Sequence, residues 1–161
     1  NEQPCDVGLD RMDTLAGLLR LIRCLDSRGI PAFSGLGLIV YETLSHLPCL
    51  PLAAAAADTQ ANEVVGALAE YSQRHSERHD GFHLLNRHFQ LTHSAHYIAP
   101  PVSKVMRWQP SRCVGARTMT AVLASSVEGI LLTASVSSDH SVRLFQAGKP
   151  VFEAIGGLPD G

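Results

Sequence analysis

The chain has 161 residues, of which 45% are hydrophobic and 17% charged, and its formal net charge at pH 7 is −2. This length and apolar content predict one domain spanning residues 1–161 with a substantial core, and they exclude a wholly disordered chain. The charge provides no basic surface for nucleic acid, and the longest apolar run, near 47–57, is too short and too interrupted by proline to cross a bilayer. No basic segment followed by an apolar one opens the chain, so we expect a cytoplasmic protein.

The first half of the chain predicts helices alternating with strands. Apolar residues at three- and four-residue steps predict a helix over about 6–28. The apolar run 37–41 predicts a buried strand, and residues 44–51 a loop. The alanine-rich segment 52–77 predicts one long helix, or two helices with a break near 58–59.

The second half predicts a sheet with one helix inserted. Two strands over 82–86 and 89–97 meet at a tight turn, and a polar linker over 100–113 leads to a helix over 115–126. A closing meander follows, with strands at about 129–136, 141–146 and 150–154, before a loose tail or linker at 156–161. This order predicts an α/β (α+β) fold, a mixed twisted sheet flanked by helices.

The four cysteines, Cys5, Cys24, Cys49 and Cys113, show no Cys-x-x-Cys pair and no metal-finger spacing with histidine. Their pattern predicts reduced thiols in a cytosolic protein. A nucleophilic Cys113, activated by Arg112 and Arg117, is an alternative that lacks a partnered histidine.

Two motifs about thirty residues apart carry the functional prediction. The first is the turn Asp80-Gly81-Phe82, which opens the hairpin ending at Tyr97-Ile98 and two prolines. The second is Gly115-Ala116-Arg117, which opens the predicted helix. Because the start of a helix has free N–H groups and a favourable dipole, Arg117 at this position predicts an anion site.

In this order and at this separation the two motifs resemble the diadenylate cyclase (DAC) domain, which condenses two ATP molecules into cyclic di-AMP. That family has an Asp-Gly-Ala turn, a hairpin ending in a proline-containing loop, and Gly-Thr-Arg-His-Arg at a helix start. The resemblance implies a DAC-like fold and a nucleotide site. It also implies that Asp80, the one catalytic candidate, holds Mg²⁺ or Mn²⁺ and helps to activate a 3′-hydroxyl if the domain is active.

The chain departs from the family at four positions of these motifs. Phe82 replaces the alanine, Ala116 the threonine, Thr118 the histidine and Met119 the second arginine. Adenylyl transfer needs metal and cationic groups on the phosphates, which neither threonine nor methionine supplies. The sequence therefore predicts a catalytically degenerate member.

Carried over residue by residue, the resemblance gives a set of candidate ligand-binding residues. Ser125 and Ser126 belong to it because they fall near a Ser-Glu pair of the family. The full set is Asp80, Gly81, Phe82, Tyr97, Ile98, Gly115, Arg117, Thr118, Ser125 and Ser126.

The histidines offer a different chemistry, since six of the eight lie between His75 and His96. His75 and His79, four residues apart at a predicted helix end and next to Asp80, have a spacing that suits zinc. The alternative is a solvated helix end with cationic side chains. His83 and His93, in predicted strands, are interpreted as half-buried or edge side chains.

Three functions remain open on the sequence. The first is a degenerate DAC-like domain that binds a nucleotide or related small molecule as a sensor, as a homo-oligomer or as part of a longer bacterial signalling protein. The second is an active diadenylate cyclase. The third is a protein-interaction module without a ligand.

Overall fold

The computed structural model describes residues 14–54, 63–102 and 108–160, and the structural statements below refer to these residues. They form three helices and seven strands. The helices are α1 (Thr14–Asp26), α2 (Val64–Tyr71) and α3 (Ala116–Ala124). The strands are β1 (Leu36–Tyr41), β2 (Cys49–Pro51), β3 (Phe82–Asn86), β4 (Leu91–Ile98), β5 (Ile130–Val136), β6 (Val142–Gln146) and β7 (Lys149–Ala154).

The seven strands form a single sheet in the order β2-β4-β3-β1-β5-β6-β7. Only the central pair β1–β3 is parallel among these strands, and each other neighbouring pair is antiparallel. Strands β2 and β7 are the two edges. The mixed sheet with its helices is an α+β fold, which confirms the predicted fold class.

The helices cover the sheet from both sides, because β1 is apolar on both faces. Leu38 and Val40 of β1 belong to a core cluster with α1 and α2, whereas Ile39 belongs to a second cluster with α3. Helix α1 supplies a stripe at three- and four-residue spacing that consists of Leu18, Leu21, Ile22 and Leu25. Helix α3 is fixed to its face by two buried hydrogen bonds, from Thr133 Oγ1 to the carbonyl of Ala121 (2.7 Å) and between Thr118 and Ser135 (2.8 Å).

Two predicted elements of the first half are wrong. Residues 49–51 lie in the predicted loop, yet they form β2 because they pair with 96–98 of β4. The helix predicted over 52–77 is confined to 64–71 within the described residues, and its stretch 55–62 lies outside them. Helix α2 ends because the following chain pairs with another segment: Gln73 forms a bridge with Phe33. The predicted helix over 6–28 is present as Thr14–Asp26, and its first residues lie outside the described ranges.

The segment after β7 is held at two points. The N–H of Gly156 donates to Ser141 Oγ at 2.9 Å, and Leu158 packs against the cluster formed by α1 and α2. These contacts fix the start of the segment that was expected to form a loose tail or linker.

The cysteines differ among themselves. Cys24 in α1 is disulfide-bonded, whereas Cys49 and Cys113 are free thiols. The prediction of reduced thiols is therefore wrong for Cys24.

Among the helices described here, none has the length and apolar content needed to cross a membrane. A cytoplasmic location stays a prediction.

Candidate ligand-binding site

The turn before β3 requires glycine at position 81. Gly81 has a φ of +81°, which side-chain-bearing residues rarely adopt. A Cβ there would lie 2.7 Å from the carbonyl oxygen of His96 and 2.9 Å from Leu52 Cδ1. This close approach holds the turn against β4 and leaves the side chain of Asp80 75% exposed, with its carboxylate 3.5 Å from His79 Nε2.

The start of α3 has no side-chain cap. Gly115 is the N-cap residue, and the first helical bond runs from the N–H of Met119 to the carbonyl of Gly115 at 3.2 Å. The N–H groups of the first turn of α3 have no partner within the helix and form the positive end of the helix dipole. This geometry favours a negatively charged group beside Arg117.

Arg117 is a half-buried cation between α3 and the start of β1. Its guanidinium lies against Gly35, and Nη1 is 3.5 Å from the carbonyl oxygen of Ser34, a long contact. Burial lowers the pKa of Arg117, and the nearby Asp80 carboxylate opposes that shift. The charges of Asp80 and Arg117 are therefore close enough to influence each other, although the structure describes no hydrogen bond or ion pair between them.

The charge of Arg117 also acts on a buried histidine, His83. His83 in β3 is 1% exposed, and its Nδ1 accepts a hydrogen bond from the N–H of Ala95 at 3.0 Å. Burial, and then the charges of Arg117 and Arg78, lower the pKa of His83 to about 3. The ring is therefore neutral, and the interpretation of His83 as a half-buried strand residue is wrong because the ring is enclosed, with the Tyr71 ring centre 5.5 Å away.

The bulge of β4 places the N–H of Ala95 beside His83. Ser94 and Ala95 together lie opposite His83, and Ala95 has a φ of +51°. Arg78 Nη1 donates to Ser94 Oγ at 2.9 Å, and its guanidinium lies 5.6 Å from the ring centre of Tyr71. Sequence reasoning missed Arg78, although a cation two residues before Asp80 was a signal for its participation.

The apolar part of the site is closed by Phe82. This side chain is 4% exposed, and a Cβ on Gly37 would lie 2.8 Å from its ring. Gly37 thus leaves the space on β1 that the Phe82 ring fills. Met119 is partly buried against the same cluster as Phe82. The two substituted residues make this part of the site a packed apolar surface.

Tyr97 and Ile98 end β4 on opposite faces. Ile98 is 5% exposed and packs with Phe82, whereas Tyr97 is 54% exposed. Tyr97 pairs with Leu50 in β2, which is 66% exposed. Tyr97 is therefore accessible to a ligand and Ile98 is a core residue.

The remaining three candidate residues, Thr118, Ser125 and Ser126, do not form one ligand site together with Arg117. Thr118 is 3% exposed and is hydrogen-bonded to Ser135 beneath the helix. Ser125 and Ser126 follow the other end of α3, about 13 Å along the helix axis from its start. Ser125 is buried and Ser126 is exposed.

The side chain of Ser125 forms hydrogen bonds, whereas the described residues include no partner for the side chain of Ser126. Its Oγ donates to the carbonyl of Val122 at 2.6 Å and accepts the N–H of Gly148 at 2.9 Å, which ties the β6–β7 turn to α3. We expect Ser125→Ala to lower the free energy of unfolding by about 1–3 kcal/mol, because it leaves a buried N–H without its acceptor. Ser126→Ala is the matched control and should change it by less than about 0.5 kcal/mol. Chemical denaturation of both variants measures this difference, and equal stabilities would contradict the assigned role.

The proposed metal ligands are not on a helix. His75 and His79 lie in the turns after α2, so the shared helical face that motivated a zinc site is absent. His79 Nδ1 is 2.7 Å from the carbonyl oxygen of Ser76, while Nε2 faces Asp80. In the described ranges no three His, Cys, Asp or Glu side chains are grouped to hold a metal ion.

The comparisons with known proteins show similarity in fold. No protein-family model and no curated protein matches the sequence. A solved structure of DacA from Staphylococcus aureus, a diadenylate cyclase in a double cysteine mutant form, matches with a TM-score of 0.59 and 17% identity. The match covers 88% of this chain and 91% of that one.

A second solved structure is described as a hypothetical membrane spanning protein from Bacillus cereus. It matches with a TM-score of 0.59 and 19% identity over 86% of this chain and 62% of that protein. The chain therefore spans less than two thirds of that protein. At these identities the comparisons show a DAC-like fold, and the activity has to be argued from the residues of this chain.

Proposed function

We propose that this chain is a DAC-like domain that binds a nucleotide or a related small anion and has lost cyclase activity. The observation that carries the proposal is the half-buried Arg117 beside the uncapped start of α3. Within the described part of the chain no carboxylate lies within 4 Å of its guanidinium, yet burial lowers its pKa. A partly buried cation without an ion-pair partner is strongly stabilised by a bound anion.

Asp80 supplies the second polar group of the proposed site. Its exposed carboxylate interacts electrostatically with Arg117, and the structure describes no ion pair between them. A carboxylate in this position accepts a hydrogen bond from a ribose hydroxyl or an amine.

The proposed loss of cyclase activity follows from the residues at positions 118 and 119. Thr118 is buried against Ser135 and Met119 packs partly buried against the core, so neither supplies a cation to a triphosphate. Loss of a positioned phosphate-binding arginine lowers turnover by a factor on the order of 10³ or more. Phe82 fills the space over Gly37, which favours a ligand smaller or less charged than ATP with two metal ions.

Titration calorimetry with AMP, ATP and cyclic di-AMP, with and without Mg²⁺ or Mn²⁺, tests the proposal. We expect binding of at least one of these ligands and no cyclic di-AMP by chromatography. Arg117→Ala should weaken binding by about 1–3 kcal/mol, the scale of a lost charge-assisted hydrogen bond. Arg87→Ala is the control, because Arg87 forms an exposed ion pair with Glu42 on another part of the sheet.

Each outcome separates the three hypotheses. Binding that depends on Arg117 without turnover supports the proposal. Product formation that Asp80→Asn abolishes would instead establish an active cyclase. No binding of any ligand in the panel, or equal affinity for wild type and Arg117→Ala, would overturn the proposal in favour of an interaction module.

A further inference from the structure

A cavity of about 220 Å³ lies on the other side of α3 from Arg117. The segment that leads into α3 forms one wall, from Trp108 to Val114, and strands β6 and β7 form the other with Arg143 and Glu153. None of its lining residues belongs to the site proposed above.

The pairing register fixes the position of this cavity. Gly37, Ser135, Arg143 and Glu153 lie in one row across β1, β5, β6 and β7. Thr118 of α3 is hydrogen-bonded to Ser135 in the middle of this row. Arg117 lies on the β1 side of that bond, against Gly35, whereas Arg143 lies on the β6 side. The first turn of α3 therefore separates the proposed Arg117 site from the cavity at Arg143.

Arg143 is the main polar group of the cavity. Its side chain is 14% exposed, and its Nε donates to Glu153 Oε2 at 3.2 Å. Among the described residues this is its only hydrogen bond, so both terminal amino groups of the guanidinium are available. Two amino groups of one guanidinium present parallel N–H donors, a geometry that matches a carboxylate.

The charges and walls restrict the ligand further. The cavity is lined by two arginines, Arg112 and Arg143, and one carboxylate, Glu153, so the lining residues carry one net positive charge, which favours a singly charged anion. Trp108, whose ring is 5.3 Å from that of Phe145 at an angle of 67°, supplies an aromatic wall, and Val114 and Ile155 are apolar. The volume lies below the range of roughly 300–1,000 Å³ that is typical of drug-sized ligands, so it suits one ring rather than a whole nucleotide.

We propose that this cavity binds a single-ring aromatic carboxylate, with the carboxylate on the terminal amino groups of Arg143 and the ring against Trp108. Arg112, which is exposed at the rim, attracts the anion electrostatically. Glu153 holds Arg143 through Nε and leaves its terminal amino groups for the ligand.

Trp108 makes the proposal directly measurable, because it is the only tryptophan in the chain. Its fluorescence should change saturably when benzoate is added at constant ionic strength. Benzamide has the same ring without the charge and should bind at least about tenfold more weakly. Arg143→Gln should weaken benzoate binding by roughly ten- to a hundredfold, and Arg143→Lys should have an intermediate effect because it keeps the charge without the planar donor pair.

The matched control is Arg87→Gln, which removes another arginine that is paired with a glutamate, Glu42, at 3.0 Å outside the cavity. It should leave benzoate affinity unchanged, and thermal unfolding should show that all variants fold. Amide chemical-shift changes that include Val114 and Ile155 would support the location. The proposal fails if benzamide binds as well as benzoate, if Arg143→Gln binds like wild type, or if benzoate causes no saturable change.

Discussion

Between pH 7 and pH 4.5 the free energy of unfolding should fall by roughly 2–3 kcal/mol because of His83 alone. The pKa of this residue is about 3 in the folded protein and 6.5 in an unfolded chain. Well above pH 6.5 the ring is neutral in both states, so it has no effect on the pH dependence there. Below pH 6.5 the unfolded chain takes up a proton that the folded protein excludes, and stability decreases until the pH approaches 3.

The physical cause is the enclosure of the His83 ring. It is buried, its Nδ1 already accepts the N–H of Ala95, and the charges of Arg117 and Arg78 repel a second proton. His93, whose pKa is lowered by burial and by His96, adds a contribution of the same sign.

Urea denaturation at a series of pH values measures this effect, and the decisive variant is His83→Gln. It should remove most of the slope below pH 6.5, whatever its stability at pH 7. His88→Gln is the control, because His88 is exposed in the turn between β3 and β4. If wild type and His83→Gln have parallel pH profiles, the assigned neutral state of His83 is wrong.

The second large effect should come from Gly81→Ala, which we expect to lower the free energy of unfolding by at least about 2 kcal/mol. The new methyl group would require a strained φ near +81° and would collide with the carbonyl oxygen of His96. Since that oxygen belongs to the backbone of β4, it cannot move aside without disturbing the sheet.

Gly66→Ala provides a glycine control with the opposite sign. Gly66 lies in the interior of α2, and the nearest atom to an added Cβ is Arg28 Nη1 at 3.7 Å, an ordinary contact. Alanine should therefore stabilise the protein by about 0.5–1 kcal/mol through its higher helix propensity. Denaturation curves of both variants measure the contrast, and a tolerated Gly81→Ala would show that the turn is not constrained as described.

The sequence predicted most of the fold because its elements have clear apolar periods. The strands of the closing meander and of the β3–β4 hairpin are short apolar segments between turn signals, so their predicted bounds differ from those observed by only one or two residues. Strand β2 was missed because three residues carry no period and one of them is Pro51. The helix predicted over 52–77 was too long, because the helix propensity of alanine does not reveal that Gln73 pairs with Phe33.

The candidate site was only partly predictable for a different reason. The order of the motifs predicted that Asp80 and Arg117 face each other, and their charges do interact. The neutral state of His83 depends on a bulge in β4, and the burial of Thr118 depends on Ser135, which lies on another strand. Both are tertiary effects that no local pattern contains.

The two edges of the sheet make this domain resistant to association through strand addition. The edge strand β2 has three residues and ends in Pro51, and the edge strand β7 contains Pro150 as well as the charged Lys149 and Glu153. Because proline has no N–H to donate, neither edge offers a full row of hydrogen-bonding groups to a strand of another molecule. Self-assembly of this chain should therefore proceed through side-chain surfaces, and amyloid-like aggregation of the folded state should be suppressed.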